Sequence, residues 1–298
     1  MGTTKIGWIG LGKMGNPMCQ QLIKAGNQMV VYNRSKGKEE ALRMNGVVAA
    51  SSPASIIQQA DVIILMVSDD QAVWDIFSGE QGLLQAKTSG KLIINMSTVS
   101  PTISKALSTL CKQQGNNYID APVSGSVKQA EEKALVIMVG GEEAIFEMAK
   151  PILETLGKLV MLVGPTGAGN AAKLAMNTML AFSTQGLAES MIFAQRHEIR
   201  LDDFITILNN SAMGSPFIKL KGDAIVQNNY RAAFALKHLA KDLRLAKSEG
   251  LATPLAETAF QTFQQAEPAL GEEDIIAVVK QLCPSAAKVG TEELLNVG

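Results

Sequence analysis

Histidine and cysteine are scarce in this chain. There are two histidines (His197, His238) and three cysteines (Cys19, Cys111, Cys283) in 298 residues. Residues so few and so scattered make no metal-ligand cluster. They also leave few candidates for a histidine acid or base, so proton transfer would fall to lysine or a carboxylate. Three widely separated cysteines give no disulfide framework and fit a reducing compartment. Charge is not concentrated either: 27 Lys and Arg face 28 Asp and Glu, a net charge of −1, with no block of one sign. That argues against nucleic acid or an acidic membrane surface as the main partner. No basic segment followed by a long apolar run stands at the N-terminus, so no signal peptide is expected. The longest apolar helical pattern is interrupted by Asn177, Thr178, Ser183, Thr184 and Gln185, which disfavours a membrane span. The expectation is a cytoplasmic protein.

What is present is apolar residue, 47% of the chain, enough for a sizeable core, in a length that allows two domains or one large one. The first half alternates strand and helix patterns. Lys5 to Ile9 reads as a strand, then comes Gly10-Leu11-Gly12-Lys13-Met14-Gly15, then a helical stretch from Met18 to Lys24. The first glycine permits a tight turn, the second admits a pyrophosphate, and the third lets helix pack on strand. The helix start offers N–H groups to phosphates. A second strand, Gln28 to Tyr32, follows at the spacing of a dinucleotide-binding unit. Its end reads Asn33-Arg34-Ser35, where an NAD site usually has an acid for the ribose 2′-hydroxyl. A guanidinium can bind a 2′-phosphate bidentately and a carboxylate would repel it. NADP is therefore expected over NAD, although Arg34 also reads as a solvated loop residue.

Further strands are expected over 61–67, 91–96, 117–119, 135–139 and 158–163. In an open α/β sheet ligands lie beyond the carboxyl ends of the strands, which singles out Val67-Ser68, Ser97-Thr98 and Val123-Ser124-Gly125. Ser68 and Thr98 read equally as cofactor contacts and as helix caps. The Ser124-Gly125-Ser126 turn offers accessible N–H groups that can hold a carboxylate, or is an ordinary loop.

After Gly164 the composition turns helical, with runs over 168–198, 201–209, 232–248, 254–265 and 274–282. The fold class expected is α/β. Residues 1–165 form a Rossmann-type doubly wound parallel sheet that binds NADP, and 166–298 an all-α domain for substrate and oligomerisation. Pro284 to Gly298 reads as a loosely held tail. No charge occurs from Leu174 to Ala188, so this helix is expected to be buried on nearly all faces. Lys173 opens it, with Asn177 four residues on and on the same face. A buried ammonium needs a partner or a shifted pKa, unless a lysine so near the helix start snorkels to water. Farther on, Lys237, Lys241 and Arg244 share one helix face, a solvated basic stripe on one reading, with Asp242 beside it.

Taken together, Gly10-Leu-Gly12-Lys-Met-Gly15, Asp120-Ala-Pro-Val-Ser124-Gly125-Ser126, Gly167-Ala-Gly169-Asn-Ala-Ala-Lys173-Leu-Ala-Met-Asn177 and Lys241-Asp242-Leu resemble the β-hydroxyacid dehydrogenase family, in the family's order, over about residues 5–282. Asn33-Arg34-Ser35 and Phe234-Ala-Leu-Lys237-His238 are most similar to its glyoxylate/succinic semialdehyde reductase branch. The resemblance implies that Lys173 is the catalytic lysine with Asn177 beside it. It implies that Ser124 and Gly125 bind a substrate carboxylate, that Thr98 and Lys241 contact cofactor, and that Phe234 and Asp242 occupy further active-site positions. Ser126 departs from the family's Gly-Gly, which narrows the expected carboxylate site. The expected activity is NADPH-dependent reduction of a small carboxylate-bearing aldehyde, reversible on a 3-hydroxy acid. The alternatives are a 3-hydroxyisobutyrate or tartronate semialdehyde oxidoreductase and, in a different class, a non-catalytic NADP-binding module. A homodimer or homotetramer is expected.

Overall fold

Two glycine turns and a run of short apolar strands shape the N-terminal half. The computed structural model describes residues 4–43 and 46–283; the tail read from Pro284 onward lies outside them. Two compact units divide the chain, one through Leu174 and the other from Ala175.

Among the described residues the first unit is built on nine strands: β1 (Lys5–Ile9), β2 (Gln28–Tyr32), β3 (Val48–Ala49), β4 (Val62–Leu65), β5 (Leu92–Asn95), β6 (Asn117–Asp120), β7 (Val123–Ser124), β8 (Leu135–Gly140) and β9 (Gly157–Gly164). Their order is β3-β2-β1-β4-β5-β6-β8-β7, with β9 paired to β8. From β3 to β6 every pairing is parallel, whereas β8 runs antiparallel to β6 and β7 and parallel to β9. The sheet is thus parallel-dominated, with an antiparallel element the sequence reading did not contain. Strand order reverses between β1 and β4, the switch point where nucleotides bind in such sheets.

Strands β4 and β5 are buried at every residue, as expected of parallel strands covered on both faces. Side chains alternate between faces. Trp8, Ile64 and Ile94 enter one cluster with Met18 and Leu22, and Ile9, Ile63 and Ile93 enter the other with Phe77 and Leu107.

The second unit is helical. Its elements are the Ala168–Arg196 helix beyond its first turns, then Leu201–Asn209, Pro216–Val226, Leu236–Ser248 and Pro254–Leu270, and a 3₁₀ turn, Ile275–Ala277, running into Val278–Leu282. The Pro216–Val226 helix was not read from the sequence, although Ser215 caps it by accepting from Ile218 N and Pro216 sits in its first turn, a recognisable start signal.

Two expectations are corrected. The Leu236–Ser248 helix starts later than 232, because Ala233 and Phe234 give their N–H groups to Asp274 Oδ2, at 3.0 and 3.3 Å. The 29-residue Ala168–Arg196 helix is not buried all round: Met179 is 62% and Phe193 66% exposed. Absence of charge measured what the helix can bury, not what this single chain covers. Among the described residues no helix is long and apolar enough to cross a membrane.

Candidate functional site

In the first unit the glycine turn after β1 has the form a pyrophosphate site needs. Gly10 has φ +101°, and a Cβ there would lie 2.2 Å from Met66 O. A Cβ on Gly15 would lie 2.0 Å from Gly10 O, so the helix start packs tightly on the turn. A Cβ on Gly12 would meet nothing within 4 Å, leaving the space over the middle of the turn open. The Gly15–Lys24 helix has no side-chain cap and no acid in its first turn, so its N–H groups face no competing carboxylate of their own turn. Leu11 N donates to Asn33 Oδ1 at 2.9 Å, and Asn33 Nδ2 donates to Ser35 O at 2.6 Å. Asn33 therefore ties the turn to the end of β2. Lys13, Arg34 and Ser35 are exposed and Met14 is half-buried. This cradle fits a dinucleotide by its backbone, and the end of β2 presents no acid in Asn33-Arg34-Ser35.

The other strand ends meet nearby in the sheet. Ser97 Oγ accepts from Val67 N at 3.0 Å, and Ser97 N donates to Asn95 Oδ1 at 3.1 Å. Ser68 and Thr98 are not the helix caps that the sequence allowed. Asp69 caps the Asp70–Ser78 helix through Ala72 N, and Ser100 caps the Pro101–Gln113 helix through Ile103 N. Ser68 donates instead to Asp69 Oδ2 at 2.7 Å. Ser124 ends β7 and is half-buried, while Gly125 turns with φ +147° where a Cβ would strike Leu135 Cδ2 at 2.7 Å. Ser126 corrects the expectation of freely accessible N–H groups: its N–H donates to Gln129 Oε1 at 2.6 Å, so it is already spent.

Lys173 lies in the second turn of the Ala168–Arg196 helix and is 9% exposed, so most of its side chain is withdrawn from water. The start of that helix rests on Asp120, fully buried at the end of β6. Asp120 Oδ1 accepts from Gly167 N at 2.6 Å and Oδ2 from Asn170 N at 2.8 Å. Burial pushes the Asp120 carboxyl above its ordinary value, against these N–H donors, which lower it. A Cβ on Gly169 would lie 2.5 Å from Met138 O, so only glycine lets the helix start this close to the sheet.

In the second unit Asn177, 1% exposed, donates through Nδ2 to Asp242 Oδ2 at 2.6 Å. Asp242 Oδ1 accepts no hydrogen bond but stands 3.1 Å from Lys241 Nζ as an ion pair. The basic stripe is not an open anion site: Lys237 pairs with Glu272, and Arg244 with Glu267 and Gln264. Phe234 stacks on His238 with centroids 6.1 Å apart. Phe234 lies in the short strap 232–235 ahead of the Leu236–Ser248 helix, and this strap is held by Asp274, which also takes Lys221 Nζ at 2.6 Å in a buried pair. Sequence reasoning missed Asp274, Lys221 and Asn170, which act through partners 40 to 71 positions away. Among the described residues no group of His, Cys, Asp and Glu could hold a metal ion.

Comparisons with known proteins give the family and the fold. A family model for the NAD binding domain of 6-phosphogluconate dehydrogenase matches residues 5–164, and one for the NAD-binding of NADP-dependent 3-hydroxyisobutyrate dehydrogenase matches 167–282. The chain belongs to the β-hydroxyacid dehydrogenase family. It is a nicotinamide-cofactor oxidoreductase acting on hydroxyl or aldehyde groups. It is 34% identical to glyoxylate/succinic semialdehyde reductase 2, chloroplastic, of Arabidopsis thaliana, over 95% of this chain and 80% of that protein. It is 34% identical to 2-hydroxy-3-oxopropionate reductase of Escherichia coli, over 86% of this chain and 88% of that one. The solved Mycobacterium tuberculosis 3-hydroxyisobutyrate dehydrogenase with L-serine superposes with a TM-score of 0.87 at 26% identity, covering 95% of this chain and all of that one.

Proposed function

We propose that this β-hydroxyacid dehydrogenase family member is an NADPH-dependent reductase of small carboxylate-bearing aldehydes, glyoxylate and succinic semialdehyde foremost, reversible on the matching 3-hydroxy acid. The observation that carries it is Lys173, a nearly buried ammonium one helical turn from Asn177, whose amide is itself held by Asp242 at 2.6 Å. A nicotinamide cofactor, when bound, would supply the hydride. Lys173 donates a hydrogen bond and then its proton to the carbonyl oxygen as it becomes an alkoxide, general acid catalysis of about 10²- to 10⁴-fold. In reverse it takes the proton back. Asn177 orients the ammonium. Ser124 and Gly125 hold the substrate carboxylate, while Phe234 and Asp242 line the substrate side. Gly10 to Gly15 cradle the pyrophosphate. Asn33, Arg34 and Ser35 meet the adenosine ribose, with Arg34 on the 2′-phosphate, and Val67, Ser68, Thr98 and Lys241 contact the rest of the cofactor.

The test follows loss of NADPH absorbance, and separately of NADH, against glyoxylate, succinic semialdehyde, methylmalonate semialdehyde and tartronate semialdehyde. Turnover with NADPH well above NADH supports the reading. Near-native turnover in Lys173→Ala sinks the role given to the lysine. NADPH binding with no turnover on any of the aldehydes would favour a non-catalytic module or another carbonyl class.

The same proposal includes a homodimer or homotetramer. Met179 and Phe193 lie seven residues either side of Gly186 on the exposed face of one helix, and a Cβ on Gly186 would meet nothing within 4 Å. An antiparallel crossing of two copies at Gly186 sets Met179 of one against Phe193 of the other, a self-complementary contact of the kind a two-fold axis requires. A reducing compartment is proposed as well, consistent with three free thiols.

A further inference from the structure

Asn170 is fully buried, and each polar group of its side chain and its backbone N–H is used. Its Oδ1 accepts from Val99 N at 3.0 Å, its Nδ2 donates to Ser104 Oγ at 3.1 Å, and its N–H donates to Asp120 Oδ2 at 2.8 Å. Three separate pieces of the first unit meet at one residue, two at its side chain and one at its backbone N–H. They are the loop carrying Thr98, the Pro101–Gln113 helix through Ser104, and the end of β6 through Asp120. Lys173 stands three residues beyond Asn170 and four beyond Gly169, on the same helix face. A helical side chain leans back over the turn N-terminal to its own Cα, so the turn under Lys173 is the one that Asn170 and Asp120 fix. Glycine at 169 lets this turn approach the sheet, glycine at 167, with φ +91°, lets it pass close to the Pro101–Gln113 helix, and the hydrogen bonds at 120 and 170 set where it stops.

We propose that Asn170 is a positioning residue for the reaction. It locks the first turns of the Ala168–Arg196 helix, and with them the Lys173 ammonium, to the Ser97–Ser100 loop on the cofactor side. The inference rests on the reading of Lys173 as the proton donor. Without Asn170 the helix still forms, since Asp120 and the glycines remain, but its rotation and height against the loop are no longer set. Val99 N and Ser104 Oγ lose their partner at 170. A displacement of about 1 Å in a reacting group costs about 100-fold in rate.

The experiment compares wild type, Asn170→Ala, Asn170→Ser and Lys173→Ala in full-length protein. It measures kcat, KM for the best aldehyde, NADPH affinity by fluorescence, folded fraction, and the kinetic isotope effect with NADPH deuterated at the transferred hydrogen. The expected result for Asn170→Ala is kcat lower by about 10- to 100-fold, NADPH affinity unchanged, and a larger isotope effect as the chemical step becomes limiting. If Asn170→Ala does not fold, Asn170→Ser carries the same readings. A loss of activity that only tracks lost folded protein, with the isotope effect and the kcat-to-KM split as in wild type, overturns the proposal. Lys173→Ala separates the two readings. If that variant turns over normally, the lysine assignment fails. If it is inactive while both Asn170 variants behave as wild type, the positioning role alone fails.

Discussion

Asn177 Nδ2 donates to Asp242 Oδ2 at 2.6 Å, in a buried pair whose members lie 65 positions apart. Asp242 faces Lys241 Nζ with its other oxygen, at 3.1 Å. One carboxylate therefore restrains two side chains that the family resemblance places in the site. Asp242→Ala leaves a buried amide donor without its acceptor, a cost of about 1–3 kcal/mol. Turnover should fall by about 10- to 100-fold as Asn177 loses its orientation. Denaturant unfolding and steady-state kinetics measure the two effects. Native turnover in this variant would remove Asn177 and Asp242 from the proposed machinery.

Arg34→Ala addresses the cofactor. If the guanidinium holds a 2′-phosphate, a charge-assisted contact of about 1.5–3 kcal/mol is lost, and KM for NADPH should rise by about 10- to 100-fold. KM for NADH should barely move, because that cofactor carries no 2′-phosphate. Equal changes for both would return Arg34 to the solvated loop residue that its exposure allows.

Local signals were legible in the sequence where glycine and proline punctuate the chain. The strands at Lys5–Ile9 and Gln28–Tyr32 stand as read, because a glycine turn and a buried apolar run fix both ends without help from distant residues. Reading failed where the deciding group is remote. The 232–235 segment has helix-forming composition, yet Asp274 takes the Ala233 and Phe234 N–H groups and holds it out of the helix. The N–H expected to be accessible at Ser126 is a different case: it is taken by Gln129 Oε1 only three positions away, in a Ser-x-x-Gln capping box that the sequence does display. Motif order singled out candidate residues, whereas Asn170 and Asp274, whose partners lie far off in sequence, carry no local signature of those contacts.

Asp120→Asn tests the helix anchor through stability. The carboxylate meets N–H donors on both oxygens. An asparagine would turn its NH₂ toward one of them, since it has a single acceptor oxygen. The variant should lose about 1–3 kcal/mol, although it removes a buried charge. The sign with pH follows from the raised carboxyl. Folded protein holds this proton above the ordinary value of 3.8 while unfolded protein has released it, so this group's contribution falls as pH rises through the folded-state pKa. The stability gap between wild type and Asp120→Asn should therefore narrow on leaving the acid range. A gap that widens there would contradict the assigned shift.

The thiols provide a test independent of activity. Burial pushes Cys19 and Cys111 up to about 12, and the thiolate is the reactive form. Both should resist an aromatic disulfide reagent in native protein and react only after unfolding, whereas the half-buried Cys283 should react first. Mass mapping of the labelled peptides reads this directly. Early labelling of Cys19 would mean that the Gly15–Lys24 helix opens locally.

Lys221 and Asp274 form a buried ion pair in the second unit, with Nζ 2.6 Å from Oδ1. Asp274 also accepts from Ala233, Phe234 and Ile276 N–H groups, so it belongs to the strap as much as to the lysine. Lys221→Met leaves a buried carboxylate without its counter-ion, which costs about 3–5 kcal/mol. Adding Asp274→Asn should recover part of that loss by removing the charge while keeping one acceptor for the strap. The double variant then separates charge from support. If stability returns but KM for the aldehyde stays raised, the three N–H contacts position Phe234 and the ion pair serves only to keep the carboxylate charged. If KM returns as well, one acceptor is enough to hold the strap.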